Sequence, residues 1–306
     1  MKKWLTKDDE ASANVSYPGA RPLEEHIKKG LIILDKPQGP TSHTVDAYVK
    51  QIVSIEKCSH GGTLDPNVSG VLLIALGDTT KLMPILLTVK KEYVGIVYLH
   101  KLVAESEIRK VCDELIGKIK QTPPKKSAVA RREREREIFY LEVLEIQGQY
   151  ILIKVGCQAG TYIRRLAEQI GWKLNVGSQL LELRRTKSGQ FTEDQCVTLQ
   201  DLSDAMASSD ENIIREIIQP LELLGNDMGS VIVGDGAIVN VCNGSPLYVA
   251  GVVKVTEGIE KEDIIGMFSL AGELIGFGTA LMTSDDMIRE KKGIAVKTDR
   301  ILKVKK

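Results

Sequence analysis

HGGTLDPNVSGVLLIAL, residues 60–76, changes character halfway along. Its first eleven residues hold glycines at 61, 62 and 70 and a proline at 66, and so read as a loop. The remainder, VLLIAL, is a continuous apolar run suited to a buried strand. Gly61 and Gly62 admit backbone conformations closed to other residues, and Pro66 biases Asp65 towards extended geometry. The Asp65 carboxylate therefore sits on a constrained loop entering a core strand. Taken alone, Asp-Pro among glycines is most often just a turn.

Working outward, GLIILDKP (30–37) reads as a second buried strand, stopped by proline. The HTVDAYVKQIVSI that follows has helical apolar spacing at Val45, Tyr48, Val49 and Ile52. Strands are expected at 93–100, 139–146 and 150–157, and helices at 104–116 and 162–174, which makes a mixed α/β domain. QTPPKKS (121–127) is a proline-bearing loop. Beyond Leu224 the texture turns to short β-branched runs separated by glycines, with one short helix at 284–290. Such a segment suits a small, strongly bent sheet or barrel. The expected organisation is α+β: a polar N-terminal extension (1–20), a catalytic domain with a mixed, largely antiparallel sheet (21–225), and a small C-terminal β-barrel domain (226–306).

A length of 306 residues agrees with two domains. The hydrophobic fraction of 43% and charged fraction of 27% are ordinary for a soluble protein, and no apolar run approaches the roughly 20 residues that span a bilayer. The polar first 29 residues carry no secretory pattern, so a cytoplasmic location is expected. Five scattered cysteines without a CxxC pair argue against a disulfide framework. A zinc site on Cys58 and His60 would need two more ligands, and His26, His43 and His100 offer no partner pattern, so no metal is expected. The 41 basic and 41 acidic side chains cancel, and only clustering speaks for nucleic acid. Lys118, Lys120, Lys125, Lys126, Arg131, Arg132, Arg134 and Arg136 crowd one stretch, interleaved with Glu133, Glu135 and Glu137. Arg164, Arg165, Arg184, Arg185 and Lys187 form two smaller groups.

Two further segments bear chemistry. GTYIRRLAEQIG (160–171) places Tyr162 and Arg164 near a helix start, where an arginine can answer a carboxylate. KEYVGIVYLH (91–100) puts Tyr93 on a strand, as a core aromatic or as a platform beside a flipped nucleotide. In chain order, LDKPQGPTSH (34–43), HGGTLDPNVSGVL (60–72), KEYV (91–94), GTYIRRL (160–166) and LRRTKSG (183–189) resemble the ordered motifs of the TruB and dyskerin family of pseudouridine synthases. GKIKQTPPKKSAVARR also fits that family, and KGIAVKTDR (292–300) looks like the end of a PUA domain, an RNA-binding barrel.

The resemblance implies roles for the matching positions. Asp65 falls on the family's nucleophilic aspartate, Arg164 on the arginine paired with it, and Tyr93 on the tyrosine that stacks on the target base. His60 corresponds to the residue that helps hold the flipped-out nucleotide region, Tyr162 and Leu183 to pocket-wall positions, and Lys36 to a motif that supports the active-site loop. Uridine would be cut at its N-glycosidic bond, the uracil turned, and the ring rejoined through C5, with no cofactor. Asp65 would attack C1′ or the base, or promote elimination to a glycal. Only eight residues separate Ser127-Ala128-Val129 from Ile138-Phe139-Tyr140, where stand-alone bacterial TruB-type enzymes carry a longer insertion. RPLEEHIKKG (21–30), SAVARR and the C-terminal domain resemble archaeal dyskerin homologues. That likeness implies an H/ACA guide RNA, small core proteins and ribosomal RNA as partners, and no membrane. Asn67, Ala130 and Gln190 depart from the branch's usual lysine, basic residue and proline. Together with Glu133, Glu135 and Glu137 they would thin the positive charge along the RNA path. The rival readings are a guide-independent synthase acting on the transfer-RNA T-loop, a non-catalytic RNA-binding scaffold and, as a poor third, a metal-dependent hydrolase.

Overall fold

A computed structural model describes residues 3–7, 21–123, 132–226 and 228–302. The decisive stretch forms the loop into strand β4. In chain order the strands of the first three-quarters of the chain are β1 (Trp4–Thr6), β2 (Gly30–Lys36), β3 (Cys58–His60), β4 (Val68–Leu76), β5 (Lys91–Leu99), β6 (Gly117–Gln121), β7 (Arg134–Gln147), β8 (Tyr150–Cys157), β9 (Ser178–Ser188), β10 (Phe191–Thr192) and β11 (Gln219–Pro220). All but β1 form one sheet whose main path runs β11-β2-β4-β9-β5-β8-β7-β6. Its pairings are antiparallel except that of β4 with β9, which sets Val68, Ser69 and Gly70 opposite Leu183, Arg184 and Arg185. Helices α1 (Leu23–Lys28), α2 (Ser42–Val53), α3 (Met83–Thr88), α4 (Glu105–Glu114), α5 (Ile163–Lys173), α6 (Leu199–Ser208) and α7 (Glu211–Ile217) accompany this sheet. Helix α2 starts on Thr41, whose hydroxyl accepts from the Thr44 N–H at 3.0 Å, and buries Val45, Val49 and Val53 along one face.

A second sheet, ordered β1-β14-β12-β15-β16-β17-β13, follows from β12 (Ser230–Val233), β13 (Leu247–Tyr248), β14 (Val252–Thr256), β15 (Ile264–Phe268), β16 (Leu274–Ala280) and β17 (Ile294–Ile301). Helices α8 (Asp235–Cys242) and α9 (Ser284–Arg289) belong to it. It packs behind the first sheet, which explains the unbroken apolar run of β4. Leu72, Ile74 and Leu76 face the helices, while Val71, Leu73 and Ala75 share a core with Leu221, Leu224, Phe277 and Leu302. Every residue of VLLIAL is fully buried, and each leucine or isoleucine so placed contributes on the order of 1.5–3 kcal/mol.

Three elements differ from the sequence reading. Trp4–Thr6 is a strand, antiparallel to β14 with Trp4 opposite Thr256, so part of the N-terminal extension completes the second sheet. Strand β7 starts at Arg134 rather than at 139, because β6 pairs with its charged first residues. Helix α8 lies in a segment read as strands and turns. The SAVARR passage, with Lys125, Lys126, Arg131 and Ala130, falls outside the described residues.

Candidate active site

Asp65 stands at the exposed turn between β3 and β4, and a buried scaffold fixes the chain on both sides of it. Before it, Leu64 is sunk in the core, and the fully buried Ser42 at the start of α2 grips its backbone twice. The Ser42 Oγ accepts from the Leu64 N–H at 2.8 Å and donates to the Leu64 carbonyl at 3.0 Å. After it, the Lys36 ammonium donates to the carbonyls of Pro37 (2.8 Å), Pro66 (3.3 Å) and Val68 (2.9 Å). Lys36 is 0% exposed, and burial lowers its pKa against the opposing pull of Asp65. It meets the loop and not the solvent. The Val68 N–H closes the turn on the Asp65 carbonyl at 3.0 Å, and the Gly39 N–H reaches the Pro66 carbonyl at 2.9 Å. Gly70, at φ +102°, lies so close to β9 that a Cβ there would stand 2.2 Å from the Arg185 carbonyl.

Arg164 approaches from the first turn of α5, 99 residues later. Its Nη2 donates to the Asp65 Oδ2 at 2.5 Å, with side-chain exposures of 53% and 58%. A cation at a helix N-terminus opposes the helix dipole by about 0.3–1 kcal/mol, whereas an anion there is favoured, so the Asp65 carboxylate offsets the strain of placing Arg164 at this end. Tyr162, the N-cap residue of α5, is held by Gln121 at the end of β6. The Gln121 Oε1 accepts from the Tyr162 N–H at 2.9 Å, and its Nε2 donates to the Tyr162 carbonyl at 3.2 Å.

The remaining candidates surround this pair. Tyr93 points inward from β5 and is 8% exposed; burial raises the pKa of its phenol while the neighbouring Arg185 opposes the shift. Arg185 is itself buried, donating from Nε to the Val71 carbonyl at 2.6 Å and from Nη2 to the Gly62 carbonyl at 3.1 Å. Leu183, half-buried, lies opposite Val68 and Gly95. His60 does not meet Asp65: its Nδ1 pairs with the Asp46 Oδ2 at 2.7 Å and its Nε2 with the Thr63 Oγ1 at 3.2 Å. The short basic groups are largely spent internally. Arg184 clasps Asp35 at 2.9 and 3.0 Å and Glu193 at 2.7 Å, Arg165 pairs with Glu168, and Arg185 is enclosed. Ser42, Asp46, Gln121 and Arg185 were not singled out as site residues. Ser42 and Gln121 act on backbone 22 and 41 positions away, a relation that local spacing does not display.

Comparison with known proteins places this geometry among its relatives. The model described as "TruB family pseudouridylate synthase (N terminal domain)" matches residues 50–106 and 99–163. "tRNA pseudouridylate synthase B C-terminal domain" matches 164–224, "PUA domain" 229–302 and "DKCLD (NUC011) domain" 9–46. A probable tRNA pseudouridine synthase B of Pyrococcus abyssi is 46% identical, over 97% of this chain and 91% of the relative. One from Methanosarcina barkeri is 45% identical over 94% and 86%. Among solved structures, a chain of a Cbf5-Nop10-Gar1 complex superposes with a TM-score of 0.91 at 44% identity, covering 98% of this chain and 94% of that one. A chain of an H/ACA RNP bound to a substrate RNA containing 2'-deoxyuridine gives 0.90 at 42%, covering 99% and 95%.

Proposed function

This chain belongs to the TruB family of pseudouridine synthases, and from that premise we propose that it isomerises uridine to pseudouridine in RNA with Asp65 as its catalytic carboxylate. The observation that carries the assignment is the contact between Asp65 and Arg164, held on the open side of a scaffold whose other polar groups are buried. The reaction breaks the N1–C1′ bond, turns the uracil and forms a C5–C1′ bond, with a proton leaving C5 and one arriving at N1. Atoms and electrons balance without a second reactant. A carboxylate beside the ribose is the one nucleophile this requires, and a target base must leave its stack to reach it. Arg164 orients the carboxylate through a charge-assisted hydrogen bond. Tyr93 and Leu183 wall the space for the detached uracil, Tyr162 flanks it at the helix start, His60 braces the loop through Thr63, and Lys36 holds the loop from beneath. The domains assigned are the N-terminal extension of residues 1–20, the catalytic domain of 21–225 and the PUA domain of 226–306.

We infer further that the protein is the catalytic subunit of an H/ACA guide-RNA particle, with ribosomal RNA as substrate, small core proteins as partners and the cytoplasm as its site of action. The support is the similarity, over nearly the whole chain, to a chain of a Cbf5-Nop10-Gar1 complex and one of a substrate-bound H/ACA RNP. The names of the curated relatives favour a second reading, action on transfer RNA. Tritium release from C5-labelled uridine decides between them, using ribosomal and transfer RNA with and without guide RNA and small core proteins. Guide-dependent release that Asp65→Ala abolishes is expected. Release on transfer RNA without guide would assign the second reading, and release that survives Asp65→Ala would remove Asp65 from the reaction.

A further inference from the structure

We propose that Gln121 is a positioning residue for the isomerisation, locating the start of α5 so that Arg164 meets Asp65. The inference rests on the assignment of that pair to the reaction.

The pair cannot choose its own geometry. Its side chains are more than half exposed, and exposed ion pairs contribute about 0–1 kcal/mol, too little to hold two flexible side chains in one arrangement. The separation has to be imposed by the backbones that carry them. For Asp65 this is done by Ser42 and Lys36. For Arg164 it falls to the beginning of α5, where the N-cap side chain of Tyr162 makes no capping hydrogen bond. What fixes that point is the primary amide of Gln121, which serves both the N–H and the carbonyl of Tyr162, two residues before Arg164. The second hydrogen of Nε2 goes to the Gln169 Oε1 at 3.2 Å, one α5 turn beyond Arg164, and the Gln169 amide returns to the Lys120 carbonyl at 3.0 Å. β6 is thus tied to the helix at two successive turns.

These bonds locate the helix rather than make it. The Tyr162 carbonyl already receives the N–H groups of Arg165 and Leu166, both at 3.0 Å, so the first turn is closed without Gln121. Gln121 is 4% exposed, and water does not compete for its amide. Its chemistry is specific: a carboxylate of the same size can accept from the Tyr162 N–H but cannot donate to the carbonyl, and a leucine can do neither. Catalysis is sensitive to such placement, since a displacement of about 1 Å costs on the order of 100-fold in rate.

The test compares Gln121→Leu and Gln121→Glu with the parent, each also combined with Arg164→Lys. Single-turnover tritium release is measured from C5-labelled RNA with guide RNA and small core proteins present, alongside RNA affinity and melting temperature. Gln121→Leu is expected to slow release about 10- to 100-fold at unchanged RNA affinity, with Gln121→Glu losing less. In the Arg164→Lys background the added loss is expected to shrink to about twofold or less, because the two residues act as one unit. Parental rates, equal losses in both backgrounds, or a loss confined to RNA affinity would each overturn the proposal. Should Gln121→Leu fail to fold, Gln121→Glu is read in the same way. Asp65→Ala is run in parallel: release that survives it defeats the site assignment, whereas its loss beside a normal Gln121→Leu defeats only this inference.

Discussion

Asp65 and Arg164 are presented to solvent, and the residues behind them are polar groups taken out of it. Lys91 is the extreme case. It is buried on β5 with its Nζ on the Leu86 carbonyl at 3.1 Å, and burial, aided by Arg185, brings its pKa from 10.5 down to about 7. The folded protein therefore releases this proton before the unfolded chain does. Below pH 7 both states hold the proton and the cost of burying the charge is full and constant; between 7 and 10.5 only the unfolded state holds it, so stability climbs with pH. Lys91→Met lacks this dependence. Its stability advantage over the parent in urea unfolding is expected to narrow by up to about 1.4 kcal/mol per pH unit between about pH 7 and 9. A constant difference would mean that Lys91 stays charged in the fold. Ser42 makes the opposite case, a small polar residue whose loss should register mainly in rate. Ser42→Ala orphans the buried Leu64 N–H at about 1–3 kcal/mol, and kcat is expected to fall while KM holds. Equal shifts in both constants would assign Ser42 to substrate binding instead. Asp65, Arg164 and Tyr93 were legible because their motifs lie in order along the chain. Ser42 and Gln121 were not, since a hydroxyl at a helix start and an amide at a strand end acquire their roles only from the fold.

The β6–β7 ribbon shows what alternation conceals at the level of an element. ARREREREIF reads as a mixed run in which glutamates cancel arginines, and it suggested a thinned positive path for RNA. Pairing in register puts Ile119 opposite Arg136 and Gln121 opposite Arg134 on one face, with Lys118 opposite Glu137 and Lys120 opposite Glu135 on the other. The glutamates therefore answer lysines: Lys118 meets Glu135 at 3.1 Å and Lys120 meets Glu133 at 3.8 Å. Arg136 lies on the α5 side, its guanidinium 3.2 Å from where a Cβ of Gly160 would stand, just ahead of Arg164. A period of two on a charged strand was invisible to a reading that looks for apolar alternation, which is why β7 was placed five residues late and β6 was read as no element at all. The partition predicts unequal consequences for RNA binding. Arg136→Gln is expected to reduce the slope of log affinity against log salt by about 1, and Lys118→Gln to leave it within error. Filter binding across a salt series checks this, and equal slopes for the two variants would mean that both faces meet RNA.

At the scale of the whole molecule, the question is whether two sheets make one cooperative body. The shared core says they do, since Val71 and Leu73 of the first sheet pack in one cluster with Phe277 and Leu302 of the second. A polar tie crosses the same boundary. The Arg21 guanidinium holds Glu222 at 2.6 and 3.1 Å and Glu273 at 3.3 Å, and Glu222 also accepts from the Leu274 N–H at 3.1 Å. The N-terminal segment, the end of the first domain and the β15–β16 hairpin thus converge on one enclosed cation. No apolar pattern announces this, because its three charged members are 201 and 52 positions apart. Burial makes it a strong constraint in one direction: removing one partner of an enclosed pair costs about 3–5 kcal/mol, because the other is left charged and unanswered. Arg21→Met is therefore expected to lower the urea midpoint sharply, and Arg21→Met with Glu222→Gln to recover most of the loss by removing the stranded charge. Because the core spans the boundary, unfolding followed by tryptophan fluorescence and by circular dichroism should remain one transition with unchanged slope in both variants. An early, shallower transition in Arg21→Met would instead show that the second sheet detaches and unfolds alone, making the ion pair rather than the shared apolar core the bond between the domains.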